Sequence, residues 1–217
     1  LVSKIENQIA FMDAHGLDYS KIPVLLSRIK AVNGRRIDDI RSELNMLEAN
    51  CSKVYFHGLM DLYGEDVAIK NRKKRFAQDI FNNVMNLSYE ILKIECFRAC
   101  YLTHLDPFLG YLHSPKHGKP AMVCDLQEFY RTRVDEYIYK NRKRIAFDNS
   151  QDVKGRAFLS QESTLELILM LNTLFSTKVK TKEKFGTSPK YELRTLIKFQ
   201  ARNIAQYMKG NDKLKML

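Results

Sequence analysis

The chain has 217 residues, enough to bury a substantial core, and its 45% hydrophobic content marks it as globular and excludes a wholly disordered chain. Only five Pro and nine Gly stand among many charged and long aliphatic residues, which argues against a strand-and-turn architecture and for an all-α fold. A net charge of +11, from 36 Lys and Arg against 25 Asp and Glu, excludes an acidic surface and points to work beside a polyanion, nucleic acid first and an anionic membrane surface second.

The N-terminal VSKIENQIAFMDAH spaces Val2, Ile5, Ile9, Phe11 and Met12 as an amphipathic helix that stops at Gly16. Lys4 and Glu6 interrupt what a secretory signal would keep apolar. The pattern begins on Leu1 inside a helix, so the chain is expected to continue upstream. IPVLLSRIKAVN forms a second helix with Pro23 in its first turn, and a long third runs from about Arg36 through Met60. Residues 61–78, with Gly64 and the run NRKKR at 71–75, read as a basic surface loop.

DIFNNVMNLSYEILKIECFRACYLTHL makes a central helix of about seven turns that Asp106 and Pro107 end. A helix resumes near Ala121 and continues through VCDLQEFYRTRVDEYIYKN to the run KNRKR at 140–144. A polar connection leads to Ser160, the expected N-cap of a buried core helix containing LELILMLNTLF. That segment is shorter than the roughly 20 residues that cross a bilayer, so no membrane span is expected. The last helix is expected over 189–208. One domain, 1–217, is thus predicted, with C-terminal helices over 160–208. Cys51, Cys96, Cys100 and Cys124 form no CxxC pair, as expected of free thiols in a reducing, cytoplasmic compartment.

Chemistry concentrates in DPFLGYLHSPKHGKPAMVCDLQEFYR. Asp125 and Glu128, three apart on a helix, project from one face, and the loop holding Pro115, Gly118 and Pro120 can return His113 to them. Mixed nitrogen and oxygen donors suit Mg2+ or Mn2+ with open positions for phosphate oxygens, which points to phosphoryl transfer. Glu48 joins this set because it stands among Leu44, Leu47, Cys51, Val54 and Tyr55, where a helix buries its apolar side. The same residues also fit a plainer arrangement, with Asp125 as a helix cap, Glu128 and Glu48 as solvated charges and His113 bonded to a backbone carbonyl.

The runs Arg72, Lys73, Lys74, Arg75 and Lys140, Arg142, Lys143, Arg144, together with KTKEK at 180–184, are candidates for neutralising phosphates. From Tyr130 to Arg144, six basic residues, Arg131 among them, interleave with Tyr130, Tyr137 and Tyr139, as on a backbone-tracking surface with stacking groups. Solvated helix ends would look the same. No base-reading motif is visible.

The stretches KIENQ, LEANCSKVYF, NNVMNLSYEIL, LDPFLGYLH, CDLQEFYR and LIKFQARNIAQYM occur in an order that resembles the C-terminal helical domain of the CRISPR-associated integrase of spacer acquisition, the first Cas protein. The resemblance implies an all-α catalytic domain, with the family's N-terminal β-domain absent from this chain. It implies a metal-dependent DNA integrase and endonuclease that inserts prespacer DNA into a CRISPR array by 3′-hydroxyl attack on a repeat phosphodiester. Glu48, His113 and Glu128 would be the Mg2+ or Mn2+ ligands, with Asp125 beside the ion or replacing Glu128 on it. Expected partners are prespacer and repeat DNA, further copies of the chain, the small second Cas subunit and, in one arrangement, a fused or associated reverse transcriptase, in a prokaryotic cytoplasm. A non-catalytic basic helical module that binds nucleic acid is the alternative.

Overall fold

The computed structural model describes residues 1–64, 71–144, 149–151, 157–180 and 190–211. Their helices are α1 (Val2–Ala14), α2 (Ile22–Ala31), α3 (Ile37–Asp61), α4 (Ile80–Leu102), α5 (Ala121–Gln127), α6 (Arg131–Asn141), α7 (Gln161–Ser176) and α8 (Leu193–Met208). A short 3-10 turn, Arg142–Arg144, follows α6. The described residues gather into two compact units, Leu1–Asn86 with Glu128–Ser163, and Leu87–Gln127 with Thr164–Leu217.

In the first unit α1, α2 and α3 pack on one another and α1 also meets α6. The spacing of the buried residues explains each helix. Ile22, Leu26 and Ile29 line one side of α2, and Leu47, Cys51, Tyr55 and Leu59 recur every fourth residue along α3. Phe11 meets the Tyr55 ring edge-on at 5.6 Å between centroids, and Tyr63 meets Phe81 and Tyr139 at 5.0 and 5.6 Å. Inside this apolar set Tyr55 Oη donates to the buried Asp135 carboxylate at 2.7 Å. Gly16 ends the first helix at φ +66°, a left-handed conformation that costs glycine little.

The three asparagines of NNVMN hold chain segments to the start of α4. Asp79 caps the helix by accepting from Asn82 N at 2.8 Å. The fully buried Asn82 side chain donates to Asn71 O at 2.9 Å and accepts from Lys73 N at 2.8 Å. Asn86 donates to Lys73 O at 3.1 Å, and Asn83 to Ala157 O at 3.1 Å.

In the second unit the buried residues of α4 (Tyr89, Leu92, Cys96, Ala99, Cys100), α5 (Met122, Val123, Leu126), α7 (Leu167, Leu171, Phe175) and α8 (Leu193, Ile197, Ala201) supply the core. The segment expected to be a buried core helix is instead amphipathic, since Leu165 and Leu169 on α7 are 58% and 59% exposed. Ser160 does cap it, its Oγ accepting from Ser163 N at 3.1 Å.

Three further expectations change. The helix from Ala121 to Asn141 is interrupted at 128–130, because Gln127 donates into the buried Tyr89 carbonyl at 2.6 Å and Phe129 O accepts from Asn7 Nδ2 at 3.4 Å. The polar connection contains the antiparallel pair β1 (Asn149–Gln151) and β2 (Ala157–Leu159), with Asn149 opposite Leu159. A second pair, β3 (Lys178–Lys180) and β4 (Lys190–Glu192), precedes α8, which therefore starts at Leu193 and not near Pro189. These strands of three residues leave the fold overwhelmingly helical. No described helix is long and apolar enough to cross a membrane.

Candidate metal centre

The segment LDPFLGYLH is built around Asp125. Asp106 Oδ1 accepts from Phe108 N at 2.8 Å and turns the chain after α4. The Pro107 carbonyl then receives the Met122 N–H at 3.1 Å, which docks the first turn of α5 on the loop. Gly110 passes so close to that turn that a Cβ there would lie 2.7 Å from both the Ala121 carbonyl carbon and the His113 oxygen. The next three residues present their N–H groups to one carboxylate. Tyr111 N and Leu112 N donate to Asp125 Oδ2 at 2.6 and 3.1 Å, and His113 N donates to Oδ1 at 3.1 Å. His113 Nδ1 lies 2.7 Å from the same Oδ1. A carboxylate only accepts, so Nδ1 carries a hydrogen, and Nε2 is the ring nitrogen that a metal would use. Asp125 thus fixes both the tautomer and the position of the imidazole, an arrangement that metal-ligating histidines commonly use.

The two acidic residues of CDLQEF do not share a helix face, contrary to the spacing argument. Asp125 is on α5, whereas Glu128 lies beyond its end, in the turn before α6. Glu128 Oε1 is 3.1 Å from Arg131 Nη1, and its Oε2 is 2.6 Å from Lys4 Nζ. Lys4, on α1, also donates to Glu48 Oε1, and its side chain is only 8% exposed. Glu48 Oε1 accepts a second bond from Ser52 Oγ at 2.8 Å. Carboxylates from α3 and from the α5–α6 turn therefore converge on a single cation. The KIENQ stretch does not by itself single out Lys4 as a site residue. The signal was present, because Lys4, Gln8 and Phe11 occupy one stripe of α1 and all three are buried.

Among the described residues no three His, Cys, Asp or Glu side chains are gathered as a set able to hold one ion. Glu48 and Glu128 are joined by Lys4, and His113 is joined to Asp125. Taken by donor type alone the residues suit a hard divalent ion: in the first unit two carboxylates share a cation, and in the second an imidazole is oriented by a carboxylate. Positive charge crowds the carboxylate pair. The Lys74 ammonium is held below the usual lysine value by desolvation first and then by Arg131, against the attraction of Glu128 and Glu48. Burial first, and then the Glu48 charge, pushes the Cys51 thiol up to about 11.

The basic residues separate by use. Arg72 donates to Lys73 O and Asn82 Oδ1 at 2.6 and 2.9 Å, and Arg142 donates to Tyr139 O at 2.8 Å while stacking 3.9 Å from the Tyr139 ring centroid. Arg131 is paired with Glu128. Lys140 pairs with Glu136 at 2.6 Å on the solvent side of α6. Lys73, Arg75 and Lys143 are exposed, whereas Lys74 is exposed as a residue but has its charge desolvated beside Arg131, Glu128 and Glu48. Arg144 closes the 3-10 turn, and the run at 181–184 lies outside the described residues.

The family model described as CRISPR associated protein Cas1 matches residues 1–172. The chain belongs to the Cas1 family. It is 26% identical over 196 residues to a CRISPR-associated endonuclease Cas1 of Archaeoglobus fulgidus, covering 88% of this chain and 56% of that protein. With a Thermus thermophilus Cas1 endonuclease it shares 26% identity over 167 residues, covering 75% of this chain and 48% of the relative. The chain thus spans about half the length of these curated relatives. In fold it is similar to a Cas1 protein from Thermotoga maritima, with a TM-score of 0.83 at 18% identity over 97% of this chain and 64% of the other. A casposase bound to its integration product gives a TM-score of 0.83 at 18% identity, covering 99% of this chain and 63% of that one. A Cas6-RT-Cas1–Cas2 complex contains a chain with a TM-score of 0.73 at 21% identity, covering 97% of this chain and 23% of that one. These likenesses support the all-α Cas1 fold.

Proposed function

We propose that this chain carries the catalytic residues of a CRISPR adaptation integrase and endonuclease, with Glu48, His113 and Glu128 holding Mg2+ or Mn2+. The observation that carries the reading is the convergence of Glu48 and Glu128 on one cation in a member of the Cas1 family. The ion, when bound, supplies Lewis-acid polarisation of a phosphodiester and lowers the cost of deprotonating a 3′ hydroxyl. The protein does the rest by placement. Asp125 keeps the proton on His113 Nδ1, so Nε2 remains a donor to the ion. Arg131 and Lys74 bring positive charge beside the carboxylates, where a phosphodiester transition state spreads negative charge over its oxygens. Attack by the 3′ hydroxyl of an incoming DNA would form a new P–O bond to the repeat phosphorus as the P–O bond to the neighbouring repeat nucleotide breaks, releasing that nucleotide's hydroxyl with the attacking group's proton passing to solvent, and water attacking in the same way would give cleavage.

Prespacer and repeat DNA are the proposed substrates, held through phosphates by the exposed basic side chains. Cas1 stands with Cas2 and a reverse transcriptase in the structurally similar complex, which supports a small second subunit, further copies of this chain and a reverse-transcriptase association as partners in a prokaryotic cytoplasm. The test is strand transfer by the full-length protein into a repeat duplex with Mn2+. Glu48→Gln and Glu128→Gln should abolish it, and Asp125→Ala should lower it by about 10- to 100-fold, the scale of losing a residue that orients a ligand. Undiminished transfer by Glu48→Gln would end the metal reading. DNA binding without transfer by the wild type would leave a basic nucleic-acid-binding module.

A further inference from the structure

Lys4 bridges Glu48 and Glu128, the two carboxylates that an ion at the proposed site would share. Its ammonium lies within hydrogen-bond reach of both Glu48 and Glu128, and the side chain is nearly inaccessible to solvent. An ammonium at 2.6 Å from a carboxylate oxygen and a metal at roughly 2.1 Å from that oxygen compete for the same lone pairs. The charge balance points the same way. The charges of Glu48 and Glu128 are already met by Lys4 and Arg131, with Lys74 interacting as well, so a dication added to this set would stand against an adjacent ammonium at contact distance. Arg131 has no need to move, because it holds Oε1 of Glu128 while Lys4 faces Oε2.

We infer that Lys4 is a resident counter-ion that holds Glu48 and Glu128 together without metal and must withdraw for the ion to seat. This inference rests on the metal reading above. It makes ion loading an exchange, with a lysine released from burial for each ion bound. The exchanged ammonium has a destination that fits the chemistry, since a freed cation beside the ion is available to a phosphate oxygen. Lys4 is then a positioning residue for the metal-free state and sets the affinity for the ion.

The test uses Mn2+ alone and the full-length protein. Free Mn2+ is followed by its electron paramagnetic resonance signal in titrations of wild type, Lys4→Met and Glu48→Gln, and lysine acylation is mapped by mass spectrometry in EDTA and in excess Mn2+. Lys4→Met should bind Mn2+ about tenfold more tightly, the scale of one charge-assisted hydrogen bond no longer broken on loading. In the wild type Lys4 should resist acylation in EDTA and become reactive with Mn2+. Unchanged or weaker Mn2+ binding by Lys4→Met would overturn the exchange. If that variant fails to fold, the acylation measurement on wild type decides alone, and a Lys4 equally protected in both conditions overturns the proposal. Glu48→Gln separates the two readings. Binding of Mn2+ as tightly as wild type would refute the metal site itself, whereas loss of binding together with an inert Lys4 would refute only the exchange.

Discussion

Replacing Asp125 with Ala should release the loop that carries His113. Four donors meet this carboxylate: three successive backbone N–H groups and the imidazole. The Tyr111 N–H is exposed and can take water in exchange, so its loss counts little. The Leu112 and His113 N–H groups and the imidazole are partly buried, and hydrogen bonds to an ionised acceptor contribute about 1.5 kcal/mol or more each. The carboxylate is 14% exposed, so water recovers part of that, and a loss of about 3 kcal/mol follows. For a protein of this length each kcal/mol moves the midpoint by about 2–4 °C, giving a fall of roughly 6–12 °C. Asp125→Asn should land between, because one amide oxygen can serve either the Oδ1 or the Oδ2 donors but not both sets. Thermal melts give the size, and hydrogen exchange at Tyr111, Leu112 and His113 gives the place. Equal midpoints for wild type, Asn and Ala, or unchanged protection at those amides, would show that Asp125 does not organise the loop.

Other positions carry their own expectations. Gly110→Ala puts a methyl against main-chain atoms of Ala121 and His113 at 2.7 Å, and should lower the thermal midpoint by about 1–3 kcal/mol equivalent while a Gly118→Ala control, with open space around it but φ +70°, costs about 1 kcal/mol. Burial raises the Cys51 thiol to about 11 and the Cys100 thiol to about 12, so the folded chain keeps protons that the unfolded chain releases near 9. Their contribution to stability is complete below about pH 9 and is lost as pH rises toward those values, and urea midpoints from pH 7 to 11 should fall less steeply in a Cys51→Ala/Cys100→Ala double variant. DNA affinity should follow the exposed cations. Neutralising Lys73, Arg75 and Lys143 should reduce the slope of log K against log salt by up to about 3, whereas Arg142→Gln, whose side chain is spent on Tyr139, should leave that slope unchanged.

The periodic parts of the fold were legible because burial repeats at helical spacing. Leu47, Cys51, Tyr55 and Leu59 mark the inner side of α3 in the sequence as clearly as in the structure. The interruption at 128–130 was not legible. Glu, Phe and Tyr tolerate a helix there, and the break comes from partners distant in sequence: Tyr89 for Gln127, Asn7 for Phe129, and Lys4 for Glu128. The short strands escaped for a related reason, since three residues are too few to show an alternation. Asp125 was marked for its chemistry, yet its main partners are backbone N–H groups that carry no side-chain signature.

The site shows why proximity of chemical types in a sequence is an incomplete guide to geometry. Asp125 and Glu128 are three residues apart, and a continuous helix would have given them one target. The break after Gln127 gives them two: Asp125 turns to the main chain and imidazole of the LDP-to-LH loop, and Glu128 to Arg131 and Lys4. Their exchange is therefore asymmetric. An Asp at 128 would be one methylene shorter and would have to abandon Lys4 or Arg131, whereas a Glu at 125 would push its carboxylate into N–H groups that already lie 2.6–3.1 Å away. The two carboxylates are thus specialised by length, the shorter for holding a loop and the longer for reaching a cation.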